Sequence, residues 1–359
     1  MLTTIVATGV VLGILIFVHE LGHFILAKRL GVKILKFSLG FGPKLIGKKI
    51  GETEYQIAVF PLGGFVKPLG EDPNEDIKKE EYHRSYWAQP IWKRTLIVLA
   101  GPLFNFFLAV VLFSTINLFG IPYYPPKIGE VNPGLPAEQA GLKKGDTVLS
   151  INGEEVTKWD DLSRIIRSSN GKEILLKVKR DHQVFETQVT PKSTTQKNLF
   201  GEETRVFVIG ITQPDELLVQ KVGPFEAFGK GLSQTWFGIK LTVVSIIKLI
   251  ERVIPAKTIG GPILIAQMAG EQAKRGLLSL VLFTAILSIN LGVINLFPIP
   301  ILDGGHFLFL SLEAILRKPL SMRKMEIAQQ IGLIFIILLM LFAFYNDVIR
   351  LFSPEGFKF

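Results

Sequence analysis

The sequence predicts a multi-pass α-helical membrane protein of about four transmembrane helices, with a membrane-associated β-hairpin and an inserted α+β domain. Three observations predict it. Hydrophobic residues make up 48% of the 359 residues and the mean hydropathy is +0.38, too apolar for an ordinary soluble domain. A bilayer-crossing helix needs about 20 mostly apolar residues, and stretches at about 2–27, 95–119, 278–300 and 327–349 meet or approach this. Between the second and third lies a turn-rich polar region with short alternating segments, the mark of a soluble insert.

The elements divide the chain into a first membrane part (1–119), an extracytoplasmic domain (120–195), a following segment (196–277) and a second membrane part (278–359). The opening run MLTTIVATGVVLGILIFV lacks the basic start and small-residue cleavage pattern of a signal peptide, so it is read as a retained helix. In the first loop, EYQIAVFPLGGFVKPLGE alternates and is glycine-rich, which predicts strands or a hairpin over about 50–70. Its apolar side chains suggest that it dips toward the membrane, where polar backbone persists only if protein or a water-filled cavity satisfies it; the alternative is a strand in a cytoplasmic loop. In the insert, KIGEV reads as a strand, AEQAGL as a short helix and WDDLSRIIRSS as a helix; KEILLKVKRD with QVFETQVTPK reads as a hairpin. Within the segment 224–254, Lys240, Lys248, Glu251 and Arg252 fall in an arc of about 120° on a helix. That arc fits a helix lying at the membrane interface. The third span carries Ser288, Asn290 and Asn295, so it is less apolar than the second.

The net charge is +9, but the basic residues mostly flank apolar segments, which speaks for topology and anionic lipid and against nucleic acid. Lys28, Arg29, Lys33, Lys36, Lys44, Lys48 and Lys49 follow the first span and Lys93 and Arg94 precede the second. Arg317, Lys318, Arg323 and Lys324 lie between the third and fourth. Both loops are thus expected in the cytoplasm, with the N-terminus, the insert and the C-terminus outside. There is no cysteine, hence no disulfide framework and no thiolate metal site.

The chemistry concentrates in His19-Glu20-Leu21-Gly22-His23. On a helix, positions i and i+4 share a face, so both imidazoles reach one zinc ion, and Glu20 beside them can move a proton between water and a leaving amine. Ionisable groups inside a membrane helix are costly and functional by default. A catalytic zinc usually takes three protein ligands. Of the five histidines, His83 and His182 lie in polar surroundings; the remaining candidates, Asp303 and His306, sit together in NLFPIPILDGGHF. Chemistry alone does not choose between them.

HELGH in the first span with NLFPIPILDGG in the third resembles the site-2 protease family of intramembrane zinc metalloproteases. The insert, through PGLPAEQAGLKKGDTVLSINGEEV, resembles a PDZ domain, as in the RseP-type (regulator of sigma-E protease) branch; here there is one copy rather than two in tandem. The resemblance implies a zinc metalloendopeptidase of the bacterial cytoplasmic (inner) membrane acting in regulated intramembrane proteolysis. It implies one Zn²⁺ held by His19, His23 and Asp303, with Glu20 as catalytic base and Asn295 supporting substrate or oxyanion. It also implies close helix packing at Gly101 and Asn105 (the G-x-x-x-N of AGPLFNF) and a reentrant hairpin around 57–66 that holds substrate extended. The implied partners are the lipid bilayer and single-pass transmembrane proteins such as an anti-sigma factor, or signal-peptide remnants. Peptide binding by the PDZ-like domain is a further possibility it raises. A non-catalytic scaffold would need neither Glu20 nor a metal. A metal transporter would need a polar path to both faces, for which the second and fourth spans offer little.

Overall fold

The structure, a computed structural model, describes residues 1–71 and 77–353. Two compact units divide it: Met1–Ile116, Phe225–Ile247 and Pro255–Phe359 form the first; Asn117–Pro224 with Lys248–Ile254 form the second.

The first unit is built on long apolar helices. Helix α1 (Leu2–Arg29) runs without proline and ends on Lys28 and Arg29, cations that suit the negative end of the helix dipole. After it come β1 (Ile34–Ile50) and β2 (Thr53–Pro68), then α2 (Ile91–Phe119), which carries Pro102 inside it. The strands therefore reach back beyond the expected 50–70, to Ile34, and within β2 the chain reverses between 54–57 and 64–68, which lie on opposite sides of 34–39. The alternation of the first strand is interrupted by Gly40 and Gly42, both in the left-handed region at φ +92° and +90°, so its period is invisible in sequence. The register pairs 34–39 with 64–68 on one side, and 36–39 with 54–57 on the other, while 44–50 pairs with 53–58. The two strands thus fold over each other through register breaks. The outer edge of 64–68 has no strand partner among the described residues.

The second unit carries β3 (Ile121–Tyr123), α3 (Pro136–Gln139), β4 (Thr147–Ile151), β5 (Glu154–Glu155) and α4 (Trp159–Ser168), then β6 (Ile174–Arg180), β7 (Gln183–Val189), β8 (Lys192–Lys197), β9 (Glu203–Val208) and β10 (Leu218–Gln220). A four-stranded sheet in the order β5-β4-β6-β7 covers α4, with Val148, Ile151, Leu162, Leu176 and Val178 among its most buried side chains. KIGEV makes isolated bridges rather than a strand, Lys127 to Thr147 and Val131 to Ile211, because it changes partner midway. Asp146, fully buried, is held by Arg180 at 2.7 and 2.8 Å. The unit runs on past the expected limit at 195, through the β8–β9 hairpin and the pairing of β3 with β10.

Back in the first unit, α5 (Pro224–Ile250) is followed by α6 (Pro262–Arg275), α7 (Leu277–Asn295), α8 (Asp303–Leu316) and α9 (Met322–Phe352). Among the described residues, four helices are long and apolar enough to cross a membrane: α1, α2, α7 and Arg323–Phe352 of α9. Helix α6 was not expected, although Gly260-Gly261-Pro262 is a helix-start signal. Its first turn is capped from α9, where the buried Asp347 carboxylate accepts the N–H groups of Gly261, Ile263 and Leu264 at 2.9, 3.0 and 3.1 Å. The third span closes at Asn295 rather than near 300, and Asp303 opens a separate helix. Pro298 and Pro300 supply no N–H and forbid a continuous helix across this stretch.

Candidate metal centre

The site is assembled from three helices and one strand. His19 and His23, one turn apart on α1, have rings in edge contact with centroids 4.9 Å apart. Their Nε2 atoms stand 3.3 Å from each other. Asp303, the first residue of α8, turns one carboxylate oxygen to each: Oδ2 is 3.2 Å from His19 Nε2 and Oδ1 is 3.6 Å from His23 Nε2. Oδ2 is buried yet makes no hydrogen bond. Zinc takes nitrogen and carboxylate donors at about 2.0–2.2 Å, and tetrahedral donors then lie about 3.3–3.6 Å apart. The observed separations match that spacing, and the unpaired buried oxygen has the environment of a ligand atom. The donor set therefore fits a zinc ion.

Helix α2 supplies the wall behind the rings. Gly101 faces them so closely that a Cβ there would run into His23 Nε2 and lie 2.7 Å from His19 Cε1. Gly22 lets α1 approach α2 in the same region, since a Cβ there would meet the Ala100 carbonyl oxygen at 2.5 Å. His23 Nδ1 is 2.8 Å from the Ile97 carbonyl oxygen. Ile97 precedes Val98, whose carbonyl oxygen Pro102 leaves without its helix donor. His19 Nδ1 is 3.2 Å from the fully buried Asn105 amide. Outer partners of this kind orient ligand imidazoles and fix which nitrogen is free.

Asp303 is positioned by glycines and an ion pair. A Cβ on Gly304 would collide with the carbonyl oxygens of Leu296 and Phe297, and one on Gly305 with that of Ile299. The two glycines thus let α8 seat against the broken stretch after α7. Farther along α8, Glu313 receives both Arg94 nitrogens at 2.7 and 3.1 Å, with Arg94 buried. Nothing in the sequence pattern marked this pair.

Glu20 follows His19 on α1 and is partly buried. Strand β2 lies beside it: a Cβ at Gly64 would be 2.8 Å from Glu20 Cγ and 2.9 Å from the Ser38 carbonyl oxygen. Asn295 closes α7, half-buried, and its side chain makes no hydrogen bond among the described residues. His306 is not drawn into the cluster; it meets Phe309 edge-on at 6.4 Å, and burial pushes its imidazole below the ordinary value. His83 and His182 are exposed. Among the described residues, His19, His23 and Asp303 form the one group of three or more His and carboxylate side chains close enough to share a metal.

Comparison with known proteins fits this geometry. The model of Peptidase family M50 matches residues 7–339. A Rhizobium meliloti protein bearing a zinc metalloprotease name is 35% identical over 357 residues, 95% of each chain. The zinc metalloprotease RasP of Geobacillus kaustophilus is 33% identical, covering 98% of this chain and 99% of that one. The regulator of sigma-W protease RasP of Bacillus subtilis is 31% identical, covering 97% and 99%. Among solved structures, the PDZ domain of an SdrC-like protein from Listeria monocytogenes is 20% identical and covers 26% of this chain and 93% of that one. Its TM-score of 0.21 is too low to establish a shared fold. With the family match spanning nearly the whole sequence, the chain belongs to Peptidase family M50, the site-2 proteases, and is an intramembrane zinc metalloprotease.

Proposed function

We propose that His19, His23 and Asp303 hold one zinc ion, that Glu20 is the general base, and that the substrate is a single-pass membrane protein cut in or near its transmembrane segment. The convergence of two imidazole nitrogens and a carboxylate at 3.2–3.6 Å, with Glu20 next in sequence to His19, carries this reading. Zinc, when bound, supplies Lewis acidity that polarises a scissile carbonyl and acidifies water. The chain's own residues do the rest. Glu20 takes the proton of the attacking water and returns it to the leaving amine. Asn295 offers an unpaired amide beside the broken helix, suited to a substrate carbonyl or the developing oxyanion. A substrate helix hides its amides within itself and must be unwound first. The unpaired edge of 64–68, next to Glu20, offers replacement partners for the extended segment.

The four apolar helices support a location in the bacterial cytoplasmic (inner) membrane. Lys28, Arg29, Arg317, Lys318, Arg323 and Lys324 then face the cytoplasm, and the N-terminus, the 117–224 unit and the C-terminus lie outside. The sigma-W regulator name of the Bacillus relative supports an anti-sigma factor as substrate class; signal-peptide remnants fit the same site. On this reading the PDZ-like unit screens the outer part of the substrate, by size or by peptide binding. The test compares wild type with Glu20→Gln, purified in detergent, for zinc content and for cleavage of a single-span substrate. Both should carry one zinc and only wild type should cleave. Equal cleavage would refute the base, and zinc-free wild type would refute the site.

A further inference from the structure

An imidazole that gives a metal its Nε2 lone pair carries its ring proton on Nδ1, and that proton needs an acceptor. For His23 the acceptor is the Ile97 carbonyl oxygen, 2.8 Å away, which has no hydrogen to give. For His19 the group at Nδ1 is the Asn105 amide, and the atom facing it at 3.2 Å is Nδ2. A donor in that place would push the ring proton onto His19 Nε2, which lies 3.3 Å from His23 Nε2, where the metal must sit. In the same arrangement Asn105 Oδ1 is buried without a partner. A half-turn of the amide exchanges oxygen and nitrogen without changing its shape, and it brings the unpaired acceptor onto Nδ1–H.

We propose that Asn105 is a positioning residue for the metal: its Oδ1 accepts the His19 Nδ1–H and thereby selects the neutral tautomer that presents Nε2. The inference rests on the zinc reading of His19, His23 and Asp303. Both tautomers are uncharged, so the choice between them falls to hydrogen-bond direction rather than to net charge. Asn105 is well placed to enforce it. It is fully buried, and its backbone oxygen accepts the Ser288 hydroxyl at 2.7 Å, fixing the position of α2 from which the amide projects. It stands one turn beyond Gly101, whose missing side chain brings the imidazoles within reach. An aspartate here would keep the acceptor; a leucine would keep the volume and remove it.

The experiment measures zinc affinity of the full-length protein in detergent by chelator competition, for wild type, Asn105→Leu and Asn105→Asp. Loss of an outer partner of a metal-bound histidine typically weakens binding about 10–100-fold. Asn105→Leu should show a loss of that size and Asn105→Asp should recover most of it. A folded Asn105→Leu protein that binds within about 3-fold of wild type would overturn the proposal, as would a loss that Asn105→Asp fails to recover. If neither variant folds, ring ¹⁵N shifts of zinc-loaded wild type decide: a protonated His19 Nδ1 supports the assignment, and an unprotonated one overturns it. Failure of wild type itself to bind zinc would instead refute the metal reading beneath it.

Discussion

Replacing Gly101 with alanine should strip the site of zinc while leaving the chain folded. The new Cβ would stand 2.7 Å from His19 Cε1 and closer still to His23 Nε2, whereas ordinary contact begins at 3.4 Å. The rings must therefore retreat by at least 0.7 Å, or α2 must retreat by as much from α1. Retreat of α2 alone would carry Ile97 and Asn105, the partners of both Nδ1 atoms, away with it. Zinc–ligand distances tolerate about 0.2 Å, so either movement spoils the donor set. The loss of affinity should reach or exceed about 100-fold, or about 2.8 kcal/mol at 1.4 kcal/mol per decade. Overpacking of this kind costs roughly 1–3 kcal/mol in stability, which leaves the fold measurable. Zinc per chain after dialysis against a graded chelator series reads the effect, with thermal unfolding alongside. Gly9→Ala and Gly13→Ala, on α1, are the controls, because nothing lies within 4 Å of a Cβ at either position. Wild-type affinity in Gly101→Ala would mean that the imidazoles do not press on α2 as described.

Removing Arg94 alone, as Arg94→Met, leaves the Glu313 carboxylate largely buried and unpaired, a loss of about 3–5 kcal/mol. The double variant Arg94→Met/Glu313→Leu should regain most of it in thermal unfolding, and a double variant no better than the single one would contradict the pairing. Gly64→Ala presses on Glu20 from β2 without touching the metal donors. We expect turnover to fall about 10-fold or more with zinc content unchanged; a fall in zinc would show that the strand supports the metal instead. In the second unit, hydrogen bonds from Asn198 and Lys248 hold the Glu202 carboxyl below its ordinary value. A depressed carboxyl stabilises the fold above its unfolded pKa and loses that contribution as pH falls through the folded one. Protection of the β8–β9 amides, taken relative to their intrinsic exchange rate at each pH, should therefore fall as pH drops below about 4.3, and Glu202→Gln should remove that pH dependence.

The legible parts of this molecule are the local ones. His19, Glu20 and His23 announce themselves because an i, i+4 spacing on an apolar run has one geometric meaning. Asp303 and His306 sit three positions apart, and spacing could not separate them. What separates them is where the helix starts: Asp303 is the first residue of α8, facing the histidines, while His306 lies on the same helix against Phe309. Arg94 and Glu313, 219 positions apart, left no pattern in either segment. The first strand of the hairpin was hidden because glycines at 40 and 42 break the period of two on which strand reading depends. Helix α6 was hidden because its cap, Asp347, arrives from the far end of the chain.

The way these helices are joined bears on whether the metal builds the site or enters it. In small zinc domains the ion supplies the folding energy, and the ligands have no common place without it. Here the donors are brought together by contacts that do not involve them. Gly22 lets α1 meet the backbone of α2, Gly292 takes Phe106 of α2 against α7, and Gly304 and Gly305 seat α8 on the carbonyls before it. The Ser288 hydroxyl ties α7 to α2, and the Arg94–Glu313 pair ties α8 to α2. Several of these meet peptide backbone, which cannot give way as a flexible side chain does, so they hold distance closely. A site framed this way stands ready before its ion arrives. Chelation should therefore abolish peptide hydrolysis and leave the far-ultraviolet circular dichroism of the detergent-solubilised protein unchanged, with activity restored on adding zinc. Loss of helical signal on chelation would show that the ion, rather than the glycine-lined interfaces, holds α1, α2 and α8 together.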